Sequence, residues 1–162
     1  MALKSDRHEE QTDISFFYNA GTATRGGVVV LDNATASGAA LDQGVNLVRY
    51  SGASATSVPV GILLNDVVNK DLTRTHLNWY KDEVQKGGKV TVMTKGWVVT
   101  NNIDSVTVTP GQVAYASATN AGNLTNVAAT AQASGNLAVG RFMSAKDADG
   151  YAKVFVNLPN FG

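Results

Sequence analysis

From residue 28 onward, apolar and polar positions alternate in short runs. In Lys89-Val90-Thr91-Val92-Met93 the two valines share one side of the chain, and Val106 and Val108 do the same in Ser105–Thr109. In Tyr151–Asn157, Val154 and Val156 oppose Lys153 and Phe155. A period of two is the side-chain alternation of a pleated strand with one packed and one wet face. The pattern predicts strands over Val28–Leu31, Val45–Tyr50, Val58–Leu64, Lys89–Met93, Trp97–Thr100, Val106–Thr109, Val113–Ala116, Leu137–Phe142 and Ala152–Leu158. Turn chemistry separates them at Asp32-Asn33, Ser51-Gly52, Gly87-Gly88, Asn101-Asn102, Pro110-Gly111, Asn120–Asn123 and Asp149-Gly150. Gly and Asn tolerate positive φ there, and Pro110 presets φ. Many short strands at this spacing predict an all-β sandwich or small barrel.

Two regions break the pattern. Residues 1–25 are polar, then aromatic at Phe16-Phe17-Tyr18, then small. They read as an N-terminal arm, with 26–162 as the β domain. Three consecutive aromatics are costly to leave in water, so they must pack on their own domain or on a neighbour. A free arm also predicts that removing residues 1–18 leaves a folded domain. The second region, 65–88, reads as an excursion from the β body. In it Leu77, Tyr80 and Val84 follow i, i+3, i+7, which predicts a short helix around His76–Lys86 ended by Gly87.

Composition narrows the function. The chain has 162 residues, enough for one domain, with 13 basic against 13 acidic side chains and no Cys. Zero net charge gives no global attraction to nucleic acid or to an anionic membrane. The absence of Cys excludes disulfides, thiol catalysis and Cys-ligated zinc. No apolar run reaches the roughly 18 residues of a membrane span, and Met1–Asp13 has no apolar signal-peptide core. Only 16% of residues are charged, against about 25% in an ordinary soluble domain. The charges cluster in 1–13 and 66–95, whereas Asp104 stands alone between 96 and 140. That neutral stretch is either a plain β region with small polar turns or a face that meets another protein, since interface cores are depleted of charge.

No catalytic constellation emerges. His8 and His76 are far apart and lack metal-ligand spacing. No Gly-x-Ser-x-Gly elbow marks a hydrolase. On a helix Asp82 and Glu83 would point to different faces, so they are no acid/base pair. Asp147-Ala148-Asp149-Gly150 imitates a fragment of a calcium loop but lacks its other ligands, so a turn is the better reading. Neither Gly26-Gly27 nor Gly87-Gly88 forms a phosphate-binding unit. Trp79, Tyr80 and Trp97 could stack on sugars. No enzyme activity, cofactor or metal is expected.

The run Pro59–Val67 is followed by Gly88–Thr100, then Val108-Thr109-Pro110-Gly111-Gln112-Val113-Ala114-Tyr115, then Val139-Gly140-Arg141-Phe142-Met143. This order resembles the small capsid decoration (cement) proteins of tailed bacteriophages, over roughly residues 26–158. The insertion at 69–87 and the longer N-terminus depart from the shortest members of that family. The resemblance implies a β-barrel or β-tulip-like domain that binds the outside of the capsid. It would clamp subunits of the major capsid protein, without catalysis, as a homotrimer or alternatively a dimer. It implies location on the outer capsid surface of the virion after synthesis in the host cytoplasm, with no nucleic-acid or membrane partner. On this reading Phe16, Phe17 and Tyr18 are arm anchors, and Arg74, Trp79 and Tyr80 are a second contact. The neutral 96–140 stretch is the candidate for packing between protomers. Competing readings are another virion part, such as a head-fibre base or tail protein, or a carbohydrate-binding β module.

Overall fold

The computed structural model describes residues 2–21, 23–32, 46–51, 58–66, 83–84, 86–128 and 138–158. Every regular element among them is a β-strand. In chain order these are β1 (His8–Asp13), β2 (Phe17–Tyr18), β3 (Ala23–Thr24), β4 (Val28–Leu31), β5 (Leu47–Tyr50) and β6 (Pro59–Asp66). They continue with β7 (Glu83–Val84), β8 (Val90–Thr100), β9 (Val113–Ala116), β10 (Leu124–Thr125), β11 (Ala138–Phe142) and β12 (Ala152–Asn157). The main sheet runs β10-β9-β11-β12-β8-β6-β4-β5-β2, with β1 also paired to β8, and β3 and β7 form a separate pair. All pairings are antiparallel except β2 with β5.

The middle of this sheet is covered on both sides. Val28, Ile62, Leu64, Met93 and Val98 belong to a first core completed by Ala114, Leu124, Phe142, Val154 and Val156. Their neighbours Val29, Leu63, Val90 and Val92 belong to a second core with Tyr18, Ala23, Val48 and Val84. The runs Val28-Val29-Val30 and Ile62-Leu63-Leu64 are apolar at every position for this reason. A strand buried on both faces loses the hydrophobic–polar alternation of a half-exposed one. Each of these side chains is essentially fully buried, worth about 1.5–3 kcal/mol apiece.

The predicted strands at 28–31 and 113–116 are found with those bounds, and those near 47–50, 59–66, 138–142 and 152–157 differ only at their ends. Val90 and Val92 share the second core, while Val154 and Val156 share the first, as their spacing requires. Val90–Met93 and Trp97–Thr100 are parts of one strand of 11 residues that runs on through Gly96, with Lys89 just ahead of it. Val106–Thr109 is not a strand, although Val108 is buried in the first core. Pro110-Gly111 and Asp147–Gly150 do turn the chain. One Asp147 carboxylate oxygen accepts the Asp149 and Tyr151 amides at 3.0 and 2.8 Å, which is turn-forming chemistry.

Three expectations change. The helix predicted at His76–Lys86 is overturned at its C-terminal end: Glu83–Val84 pair antiparallel with Ala23–Thr24, and Val84 is fully buried in the second core. Burial of Val84 satisfied the helical spacing as well as it satisfies a strand; Lys86 lies in a turn, and 76–82 and 85 lie outside the described residues. The sheet is not closed into a barrel ladder. A turn bridges its gap instead: the Val28 amide donates to the Gly122 carbonyl at 2.7 Å, and the Gly122 amide donates to the Ser51 carbonyl at 3.0 Å. The N-terminal segment joins the sheet at Leu3, β1 and β2. Leu3 is buried against the first core and bridged to Thr100.

Gly96 is where β1 meets β8. Its φ of +137° lies where side chains are strained, and the His8 carbonyl occupies the place a Cβ would take. Gly96→Ala should therefore displace β1 and destabilise the fold by roughly 1–3 kcal/mol. An unchanged urea midpoint would show that β1 is not seated on β8.

Candidate contact surface

The aromatic triple sits on its own domain. Phe17 is 9% exposed and Tyr18 1%, while Phe16 packs partly buried against the second core. Main-chain bonds fix this placement on both sides. Phe17 and Asn19 amides donate to Asn46 and Val48 carbonyls at 2.9 and 2.8 Å, and the Tyr18 amide donates to the Gly88 carbonyl at 2.9 Å. The Tyr18 ring meets Tyr50 edge-on, with centroids 6.0 Å apart. Burial pushes the Tyr18 phenol up to about 12 and raises that of Tyr50 too, whose hydroxyl donates to the Thr24 carbonyl. Removal of residues 1–18 would thus strip Tyr18 from the core, contrary to the free-arm expectation. Arg74, Trp79 and Tyr80 lie outside the described residues.

What the N-terminal segment does present is β1. His8 to Thr12 are all exposed and Asp13 is half-exposed. Its acidic side chains engage locally: Glu9 pairs with Arg7 at 2.5 Å and Glu10 with Lys95 at 2.9 Å. Further back, Lys4 pairs with Asp147 at 2.9 Å and lies 4.1 Å from the Tyr151 ring centroid. The Lys4 hydrogen bond holds the Asp147 carboxyl below its ordinary value, and the same bond holds Lys4 above its own.

The neutral stretch 96–140 contributes much of the first core, including Val98, Ile103, Val108, Leu124 and Val139. Its lone acid, Asp104, is an internal hub. Ser117 Oγ donates to its carboxylate at 2.7 Å, and the Asn120 and Asn123 amides do so at 2.8 and 3.1 Å. The hub shapes the turn that carries Gly122 across to β4 and β5. Gly122, at φ +79°, abuts the Tyr50 ring so closely that a Cβ there would overlap it.

The outer face of β8, β12, β11 and β9 was not singled out by sequence reasoning. Phe155 stands opposite Trp97 on β8 and Arg141 on β11. The Lys153 ammonium lies 3.2 Å from the Trp97 ring centroid, and the His8 ring is 6.0 Å away. A recess of about 260 Å³ is lined by Trp97, Met143, Lys153 and Phe155. A second recess, of about 410 Å³, continues past Phe155 toward Arg141, Val113 and Tyr115. Met143 is 53% exposed. The signal was present in β12, where Lys153 and Phe155 oppose the buried valines. A cation over its ring leaves Trp97 a poor platform for a sugar. Among the described residues no group of acids and histidines could hold a metal ion.

A family model described as structural cement protein (E217 gp24/Pam3 gp6) matches residues 6–157. No curated protein matches the chain.

Two outcomes follow from this geometry. The neutral Tyr18 phenol is favoured by folding, so its contribution is complete below the ordinary phenol value of 10.0 and is lost as pH rises toward about 12. Phenolate absorbance should show a late-titrating tyrosine that appears together with unfolding; a full set of tyrosines titrating near 10 before unfolding would contradict this. Asp104→Ala should release the 117–124 turn and destabilise by about 1.5–3 kcal/mol, the scale of hydrogen bonds to a charged group. Thermal denaturation measures that loss, and an unshifted midpoint would remove Asp104 as the hub.

Proposed function

Because the chain belongs to the structural cement protein family of phages, we propose that it binds the outer surface of the assembled capsid and bridges neighbouring subunits of the major capsid protein. Its place among structural virion proteins that stabilise the capsid rests on the family match over residues 6–157. The competing readings, a tail or head-fibre part and a carbohydrate-binding module, have no observation in their favour.

The fold suits a clamp. A sheet packed on two cores resists deformation, because close-packed interiors transmit strain instead of absorbing it. Any ligand that binds only the assembled capsid stabilises it by mass action. A symmetric oligomer, a homotrimer on this reading, gains avidity because its second and third contacts are intramolecular. The exposed strip His8–Asp13 supports an N-terminal contact, in place of the buried Phe17 and Tyr18. The excursion with Arg74, Trp79 and Tyr80 remains the second proposed contact, and the 96–140 region, apart from the outward-facing recesses at Trp97, Val113 and Tyr115, the proposed protomer packing. On this reading the protein is made in the host cytoplasm and is carried on the outer capsid surface of the virion.

Co-sedimentation with expanded capsids that lack this protein tests the reading. The protein should pellet with them and raise the temperature at which they rupture, and its solution mass should be that of a trimer. A protein that stays in the supernatant and leaves rupture unchanged would overturn the proposal.

A further inference from the structure

The two recesses that meet at Phe155 form one shallow groove, running from Trp97 on β8, over β12 and β11, to Tyr115 on β9. It is apolar and aromatic beside Trp97 and Phe155, and predominantly polar beyond Phe155, where Arg141 and Asn157 line it. Its charged side chains are both cations, Lys153 and Arg141. Lys153 lies over Trp97, and Arg141 donates to the Gly111 carbonyl at 2.5 Å. Neither pairs with a carboxylate among the described residues. Arg141 is exposed, with a fork of donors that a backbone carbonyl uses only in part.

We propose that this groove receives an extended segment of a capsid subunit, with an apolar side chain entering the recess beside Trp97 and Phe155 and a carboxylate meeting Arg141 and Lys153. The proposal rests on the cement reading and names the contact that reading lacks. Charge decides the occupant. A second copy docked across a two-fold axis would set the same patch against itself, facing Arg141 and Lys153 with like charges, and a head-to-tail copy in a ring is the occupant that a changed solution mass would reveal. Like-charge juxtaposition disfavours a partner, whereas an acidic segment is complementary to both cations. The recess at Trp97 and Phe155 supplies the kind of aromatic anchor site at which binding energy concentrates.

The test uses the full chain and capsids that lack it. The double variant Arg141→Glu/Lys153→Glu should bind on the order of ten-fold more weakly or worse. Arg141→Lys/Lys153→Arg, which keeps both charges, should retain binding. Melting temperature and solution mass should match those of the unaltered protein in both variants. A second readout needs no variant: Lys153 should be protected from acetylation in the capsid-bound protein and reactive in the free one. Equal capsid binding by the charge-reversed variant would overturn the groove alone, leaving the cement reading in place. A charge-reversed protein with a changed solution mass would assign the groove to contacts between copies, and so would also overturn it. Failure of the unaltered protein to bind capsids would overturn both.

Discussion

Where β4, β6 and the first half of β8 lie side by side the sheet is packed on both faces, and that constraint sets where the other strands go. Val28 and Val29 point into different cores, as do Ile62 and Leu63 and likewise Val92 and Met93. One core needs β9 to β12 as its opposite wall. The other needs β2, β5 and the small β3–β7 pair. A register slip of one residue in β6 or β8 would exchange the two sets of side chains, each fitted to a different cavity. The N-terminal aromatics serve the second core as structural members, since Tyr18 fills it beside Tyr50.

How much of this could be read beforehand depends on which force acted. Strands such as β9 and β12 announce themselves through alternation, because one face packs and the other does not. β1 and β10 do not. The polar side chains of His8–Asp13 bury almost nothing, so no hydrophobic period marks them. Leu124-Thr125 are two residues whose pairing depends on a turn that Asp104 organises from a distance. Val84 shows the converse failure, where a real requirement for burial was met by a different element. Alternation alone left 94–96 between two predicted strands; Gly96 in fact stays in β8 and leaves room for the chain crossing it. The contact groove was half-legible, since Lys153 and Phe155 were seen to share a face, but joining Arg141 to them required the β11–β12 register.

The low charge of residues 96–140 acquires a mechanical explanation. Their apolar side chains build a wall of the first core, and their one acid is consumed by Ser117, Asn120 and Asn123. These bonds carry Gly122 to β4 and β5, spanning the gap that an open sheet would leave there. Neutrality in this stretch therefore follows from internal construction, and the cations that face outward on the same side of the molecule, Arg141 and Lys153, come from the segment that follows it.

β1 is attached to the domain by main-chain pairing, while its side chains stand clear of both cores. Backbone ladders are indifferent to side-chain identity except at proline and where packing intrudes. The sequence His8–Asp13 can therefore drift widely, exchanging acids for bases or small residues for large, without disturbing the β4–β6–β8 layer. A virion coat built this way keeps a constant frame beneath a strip whose sequence the fold leaves open, so that the proposed capsid contact, and not folding, would constrain it.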